Sequence, residues 1–314
     1  MQDVVKKTPI PVASLALGLA SLGKLLQPYS EVCSVILGLL ALFFMLLLST
    51  KAVLYPKKIR EDLRNSSYAA TSAMYFMCWM QLATYLAPFA YYPAFALWAA
   101  AIAAYVVLMV WFSCVHMRRF DLKEVLPSYF ICYVGIIVAS TTSPVFAMEQ
   151  LGFAIFCFGF ACFLVLLPVV TLRYFKNPVP EPARPLFCIY AAPFSLSLVG
   201  YLETVAEPNF YFATVLFILA QTFLVLVVLR LPIFLRFKFY PTFAAMTFPF
   251  VISAIALGKM LELLSATGVN TFPAGEIVCI VESVIAVGMV TFVTIRYAVY
   301  LFGKNNNVQQ ESTS

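Results

Sequence analysis

Ile36 to Leu48 reads ILGLLALFFMLLL, with no charge, proline or histidine in it. With its flanks the run extends over residues 32–54. That is enough to cross a hydrocarbon core of about 30 Å, for which about 20 predominantly apolar residues suffice. A stretch apolar on every side offers no face to water and belongs in lipid. Val215 to Leu229 (VLFILAQTFLVLVVL) reads the same way, so the stretch is a repeated unit of construction. Over all 314 residues, 63% are apolar and 11% charged, with a mean hydropathy of +0.95; a soluble domain has about 45–50% and about 25%. A water-soluble fold is excluded. Twelve Gly, 19 Pro and 8 Cys likewise exclude a collagen, a disordered chain and a disulfide scaffold.

Reading outward by apolar run and by interruption with charge, Pro or Gly gives ten spans, at residues 10–27, 32–54, 68–88, 92–117, 128–144, 150–173, 186–203, 210–233, 242–263 and 275–302. The expected molecule is an all-α polytopic membrane protein, with a head at 1–9, one membrane domain at 10–303 and a disordered tail at 304–314. Of the 20 Lys and Arg, all but Lys24 and Lys259 fall in the head, in the loops after the even spans, or in the tail. Basic residues accumulate on the cytoplasmic side, so both termini are expected inside a plasma (inner) membrane.

The odd spans start at Pro9, Ser66, Pro127, Pro185 and Pro241, a spacing of 57, 61, 58 and 56 residues. Each unit is a hairpin that enters at Pro or Ser and returns to a basic end, as in Thr171-Leu172-Arg173-Tyr174 and Thr294-Ile295-Arg296-Tyr297. Five tandem hairpins in one orientation form a parallel repeat. The odd spans carry the small and polar residues, among them Ser14, Gly18, Gln81, Gly135, Ser140, Ser197, Thr247 and Ser253. Polar groups are costly in lipid unless they find a partner helix or a wet cavity. An inner ring of five odd helices around a pore, enclosed by an outer ring of five even helices, follows from that bias.

Pro193 and Pro249 stand within odd spans, where proline removes a helix hydrogen bond and is expected to kink an inner helix. The charges of the membrane domain gather toward the outer side, at Lys24, Glu203, Lys259, Glu262, Glu276 and Glu282. Glu282 is the deepest, and Lys259 is its expected partner. No odd span has a charge near its midpoint, so the proposed path is uncharged at its centre. Two motifs are decoys. Gly18 to Lys24 matches a phosphate loop except that Leu25 replaces the required Ser or Thr. Asn65-Ser66-Ser67 is a glycosylation sequon set in the most basic loop, on the side where it would stay unmodified. The eight cysteines read as buried small hydrophobes. With one histidine, His116, and its three Asp in polar segments, the chain lacks the parts of a metal centre, a cofactor site or a hydrolase.

Pro127-Ser128-Tyr129-Phe130, Ala192-Pro193-Phe194 and Thr247-Phe248-Pro249, set in five tandem hairpins, resemble the tellurite-resistance/dicarboxylate transporter family, which includes bacterial TehA proteins and plant slow anion channels. The resemblance implies a ten-helix fold with quasi-fivefold symmetry, assembled as a homotrimer with one pore per subunit. It also implies conduction of small inorganic anions and a gate at the position of Phe248. The third span departs from a uniform ring of kinks, having no Gly or Pro at its middle. The expected function is passive conduction of monovalent anions such as chloride or nitrate. The alternative is a proton-coupled carrier for malate or another C4-dicarboxylate, or a tellurite or sulfite transporter. Membrane lipid and a second and third copy are the expected partners; nucleic acid is not.

Overall fold

Ser30 ends the turn after the first leg: its hydroxyl accepts from Cys33 N at 3.3 Å and starts a helix that runs unbroken over Glu31–Leu54. Asn209 starts Phe210–Phe234 in the same manner, accepting from Phe212 N at 3.0 Å. A side-chain acceptor at the cap satisfies an amide that the helix leaves open. In this computed structural model, residues 2–118, 121–268 and 273–303 are described, and every regular element among them is helical. The expected tail at 304–314 lies outside the described residues.

The helices in chain order are α1 (Gln2–Lys7), α2 (Val12–Leu26), α3 (Glu31–Leu54), α4 (Pro56–Asp62), α5 (Ser66–Thr71), α6 (Ala73–Leu86), α7 (Tyr91–Phe112), α8 (Ser128–Tyr133), α9 (Ile137–Thr142), α10 (Glu149–Lys176), α11 (Ala192–Thr204), α12 (Phe210–Phe234), α13 (Phe248–Ala266) and α14 (Ala274–Phe302). A 3₁₀ segment, Glu181–Ala191, leads into α11, and another, Pro241–Met246, leads up to α13. Among the described residues, seven helical stretches are long and apolar enough to cross a membrane, against the ten spans expected. The other three legs fall short because α2 has 15 residues and because the legs at 66–86 and 128–146 are divided into shorter helices.

Long and interrupted legs differ in burial. The apolar windows of Tyr91–Met117, Glu149–Lys176, Phe210–Phe234 and Ala274–Phe302 are each 28% buried, against 89% for Glu181–Thr204 and 78% for Pro241–Ala266. Every residue of α2 from Val12 to Gly23 is buried as well. Contacts follow the same division. Helix α2 touches α6, α6 touches α9, α9 touches α11, α11 touches α13, and α13 returns to α2. Against these lie α3, α7, α10, α12 and α14, each packed on the member of the circuit next to it in the chain.

Hydroxyl pairs join consecutive units: Ser49 with Tyr75 at 2.8 Å, Ser113 with Tyr133 at 2.7 Å, and Thr171 with Tyr190 at 3.4 Å. At the basic end each loop is tied to the next. His116 meets the carbonyl of Leu63, Arg173 donates to the carbonyl of Lys123, Tyr240 donates to Glu181, and Arg296 donates to the carbonyl of Phe237. The arginines of the two repeated Thr-x-Arg-Tyr sequences therefore brace backbone carbonyls, a use that offsets part of the cost of burying Arg173. Cysteine burial departs from expectation. Cys78, Cys132 and Cys188 are buried, but Cys33, Cys114 and Cys157 are exposed, because they lie on the outward faces of the long legs.

Candidate functional site

The structure differs from the expected kinks in how the legs are interrupted. Pro193 and Pro249 do not bend continuous α-helices. Each sits in the first turn of a new helix, α11 or α13, after a 3₁₀ segment has ended. Proline has no amide hydrogen, and the first turn is the one place in a helix where none is needed. At Thr247 the backbone leaves helical geometry altogether, with φ −110° and ψ −81°. Helices α8 and α9 are separated at Val134, Gly135 and Ile136.

Two glycines allow the chain to close around these breaks. A Cβ on Gly18 would lie 2.6 Å from Thr247 Cβ and 3.2 Å from Phe248 N, so α2 reaches the start of α13 only because it has none. A Cβ on Gly135 would lie 2.7 Å from Met77 Sδ and 2.8 Å from the Tyr105 hydroxyl. Thr247 fastens the first contact: its hydroxyl faces the carbonyls of Ala244 at 2.7 Å and Ser14 at 3.1 Å, while Ser14 donates to Ala244 O at 2.8 Å.

Around the breaks lies a small apolar cavity. Phe248 and Pro249 of α13, Pro193 of α11, Gly135, and Met74 and Met77 of α6 all line it. It leaves room for about one water. Phe248 is 3% exposed and wedged among these residues. Toward the basic end a second small cavity is lined by residues from all five buried legs, including Ser14, Ser67, Tyr68, Thr71, Ile131, Leu186 and Thr242. Three of its hydroxyls are already committed to backbone carbonyls: Ser14 to Ala244, Thr71 to Ser67 and Thr242 to Pro182. Those of Ser67 and Tyr68 make no hydrogen bond among the described residues and are its free donors. Sequence reasoning missed both, although the break after Asn65, whose side chain caps the amides of Ser67 and Tyr68, was the available signal.

The structure thus gathers Gly135, Pro193, Phe248 and Pro249 on one cavity and sets Gly18 and Thr247 directly behind it. Ser197 and Ser253 line neither cavity. Ser253 meets Ser195 at 3.1 Å and donates to Pro249 O at 2.9 Å, joining α11 to α13. Ser197 is buried with a hydroxyl that has no partner among the described residues, as are Ser21 of α2 and Ser140 of α9.

The outer-side charges are arranged otherwise than expected. Lys259 pairs with Glu203 at 3.0 Å and Glu262 at 3.2 Å, not with Glu282. Glu203 ends α11, which packs on α13, and Glu262 lies one turn along from Lys259, so both reach it before Glu282 can. Glu282 is 6% exposed beside Gln221 of α12, with Oε2 unpartnered among the described residues. Lys24 sits over the Tyr85 ring at 4.3 Å and reaches Gln27 at 3.4 Å.

Residues 9–298 match the family model described as SLAC1: Voltage-dependent anion channel. No curated protein matches the chain.

Proposed function

The chain belongs to the SLAC1 family of voltage-dependent anion channels, and from that premise we propose that it is a passive channel for small monovalent anions. The family makes it a multi-pass membrane protein of the anion channel and transporter class, not an enzyme class. In our reading the five buried legs, the short α2 and the four interrupted ones, form a ring around the path, the long legs form an outer ring against lipid, and Phe248 shuts the path at its middle.

The observation that carries this reading is the stacking of an apolar and a hydroxyl-lined cavity among the interrupted legs, with Phe248 in the wall of the first. A bulky ring in an uncharged constriction blocks both sterically and by dewetting. With no fixed charge at either cavity, no anion is held tightly, and the cost of dehydration orders the anions that pass. Lys24, Glu203, Lys259 and Glu282 then act on the outer approach and on packing rather than on the constriction. The basic loops face the cytoplasm of a plasma membrane, both termini lie there, and three copies assemble with one path each.

The test is purified protein in planar bilayers under a chloride gradient, with and without a pH gradient. We expect unitary currents that reverse at the chloride equilibrium potential whatever the pH gradient. Transport that follows the proton gradient, without unitary current, would replace the channel with the dicarboxylate carrier.

A further inference from the structure

Ile131 is the one residue that lines both cavities. From that position we propose that it forms a second closure of the path, in series with Phe248 and on its basic side; the proposal rests on the channel reading above. Ile131 is 4% exposed and belongs to α8, a helix of 6 residues between Pro127 and the break at Val134 to Ile136. Its carbonyl accepts the hydroxyl of the fully buried Tyr105 of α7. Gly135, one turn on, leaves no space for a Cβ between that same carbonyl, Met77 and the Tyr105 hydroxyl. The backbone under Ile131 is therefore clasped from two sides.

The two closures differ in what opens them. Phe248 blocks with a planar ring on a rotatable bond, and a change of rotamer can clear it. Ile131 is β-branched and stiff at χ1, which on a helix leaves it one strongly preferred rotamer. Its side chain clears the path only if α8 itself shifts. An apolar side chain between a hydroxyl-lined vestibule and an apolar chamber is also where a column of water would break, and a dewetted gap excludes anions without sealing completely. Displacing Phe248 alone then leaves a path still limited at Ile131.

Currents through Phe248→Ala, Ile131→Ala and the double variant decide the matter, in bilayers with symmetric chloride. The double variant should carry a unitary current at least about threefold larger than Phe248→Ala alone. Equal unitary currents in the two would overturn the second closure while leaving the channel reading intact. No current in any of the three, from well-folded protein, would overturn both. An independent arm avoids dependence on cavity-creating changes: Ile131→Cys in the Phe248→Ala channel, treated with a small cationic thiol reagent from the basic side. Loss of most of the current supports the proposal, and unaltered current with the thiol modified, read by mass spectrometry, overturns it.

Discussion

Helix α10 and the leg that follows it both contain proline, with opposite results. Pro168 lies inside α10, exposed, and the helix runs on through 28 residues. Pro193 is buried, and there one helical geometry ends and another begins. The same contrast separates Pro232, exposed within α12, from Pro249, buried at the start of α13. Proline deletes one amide hydrogen in each case. What differs is the surroundings. On the long legs the single lost bond is tolerated within an otherwise complete ladder. On the interrupted legs hydroxyls lie close to the breaks and bond to backbone carbonyls there, as when Ser14 and Thr247 bond to Ala244 O and Ser195 bonds to Ala191 O. A break in a membrane helix persists where protein or a wet cavity receives its backbone groups and is repaired where only lipid is near.

The strongest way to sharpen that contrast is to remove the ring at the start of α13. Phe248→Ala should raise basal anion current about tenfold or more with folded yield retained. A core phenylalanine cut to Ala costs about 3–5 kcal/mol in soluble proteins, so loss of folded protein would return Phe248 to packing. Unchanged current from folded protein would remove it as the gate. A smaller effect is expected from proline itself. Pro193→Ala and Pro249→Ala restore an amide and favour a continuous helix through the break, and each should change unitary conductance by about threefold. Pro168→Ala should change it by less than about a fifth. Three equal effects would end the distinction between the two kinds of leg.

How far the contrast was legible depended on which physical signal carried it. Long apolar runs specify long helices directly: residues 210–233 were expected and α12 covers Phe210–Phe234. The clustering of Ser, Thr and Gly on the odd legs followed from the cost of polar groups in lipid, and those legs are the buried ones in the structure. The local geometry of the breaks was not legible. A 3₁₀ segment and an α-helix have the same composition, so Pro193 and Pro249 read as kinks rather than as helix starts. Side-chain partners across helices were equally hidden. Glu262 lies three residues from Lys259 on the same helix, a pair the spacing alone allows, whereas rotation about the helix axes decides that Glu203 of α11 reaches Lys259 while Glu282 of α14 turns toward Gln221. Ile131, Ser67 and Tyr68 carry no motif. Their roles come from facing a cavity that four other legs complete.

The central claim is that the buried legs line a path for water and anions while the exposed legs face hydrocarbon, and thiol modification rates test it most directly because bare exposure predicts the reverse. Leu226 is 46% exposed, and Leu196 of α11, in the wall of the apolar cavity, is 3% exposed. In the open Phe248→Ala channel, Leu196→Cys should be modified by a charged, membrane-impermeant thiol reagent at least about tenfold faster than Leu226→Cys, with current falling as it reacts. Faster reaction at Leu226→Cys would contradict the account, placing water on the long legs and leaving the interrupted legs as an ordinary dry core.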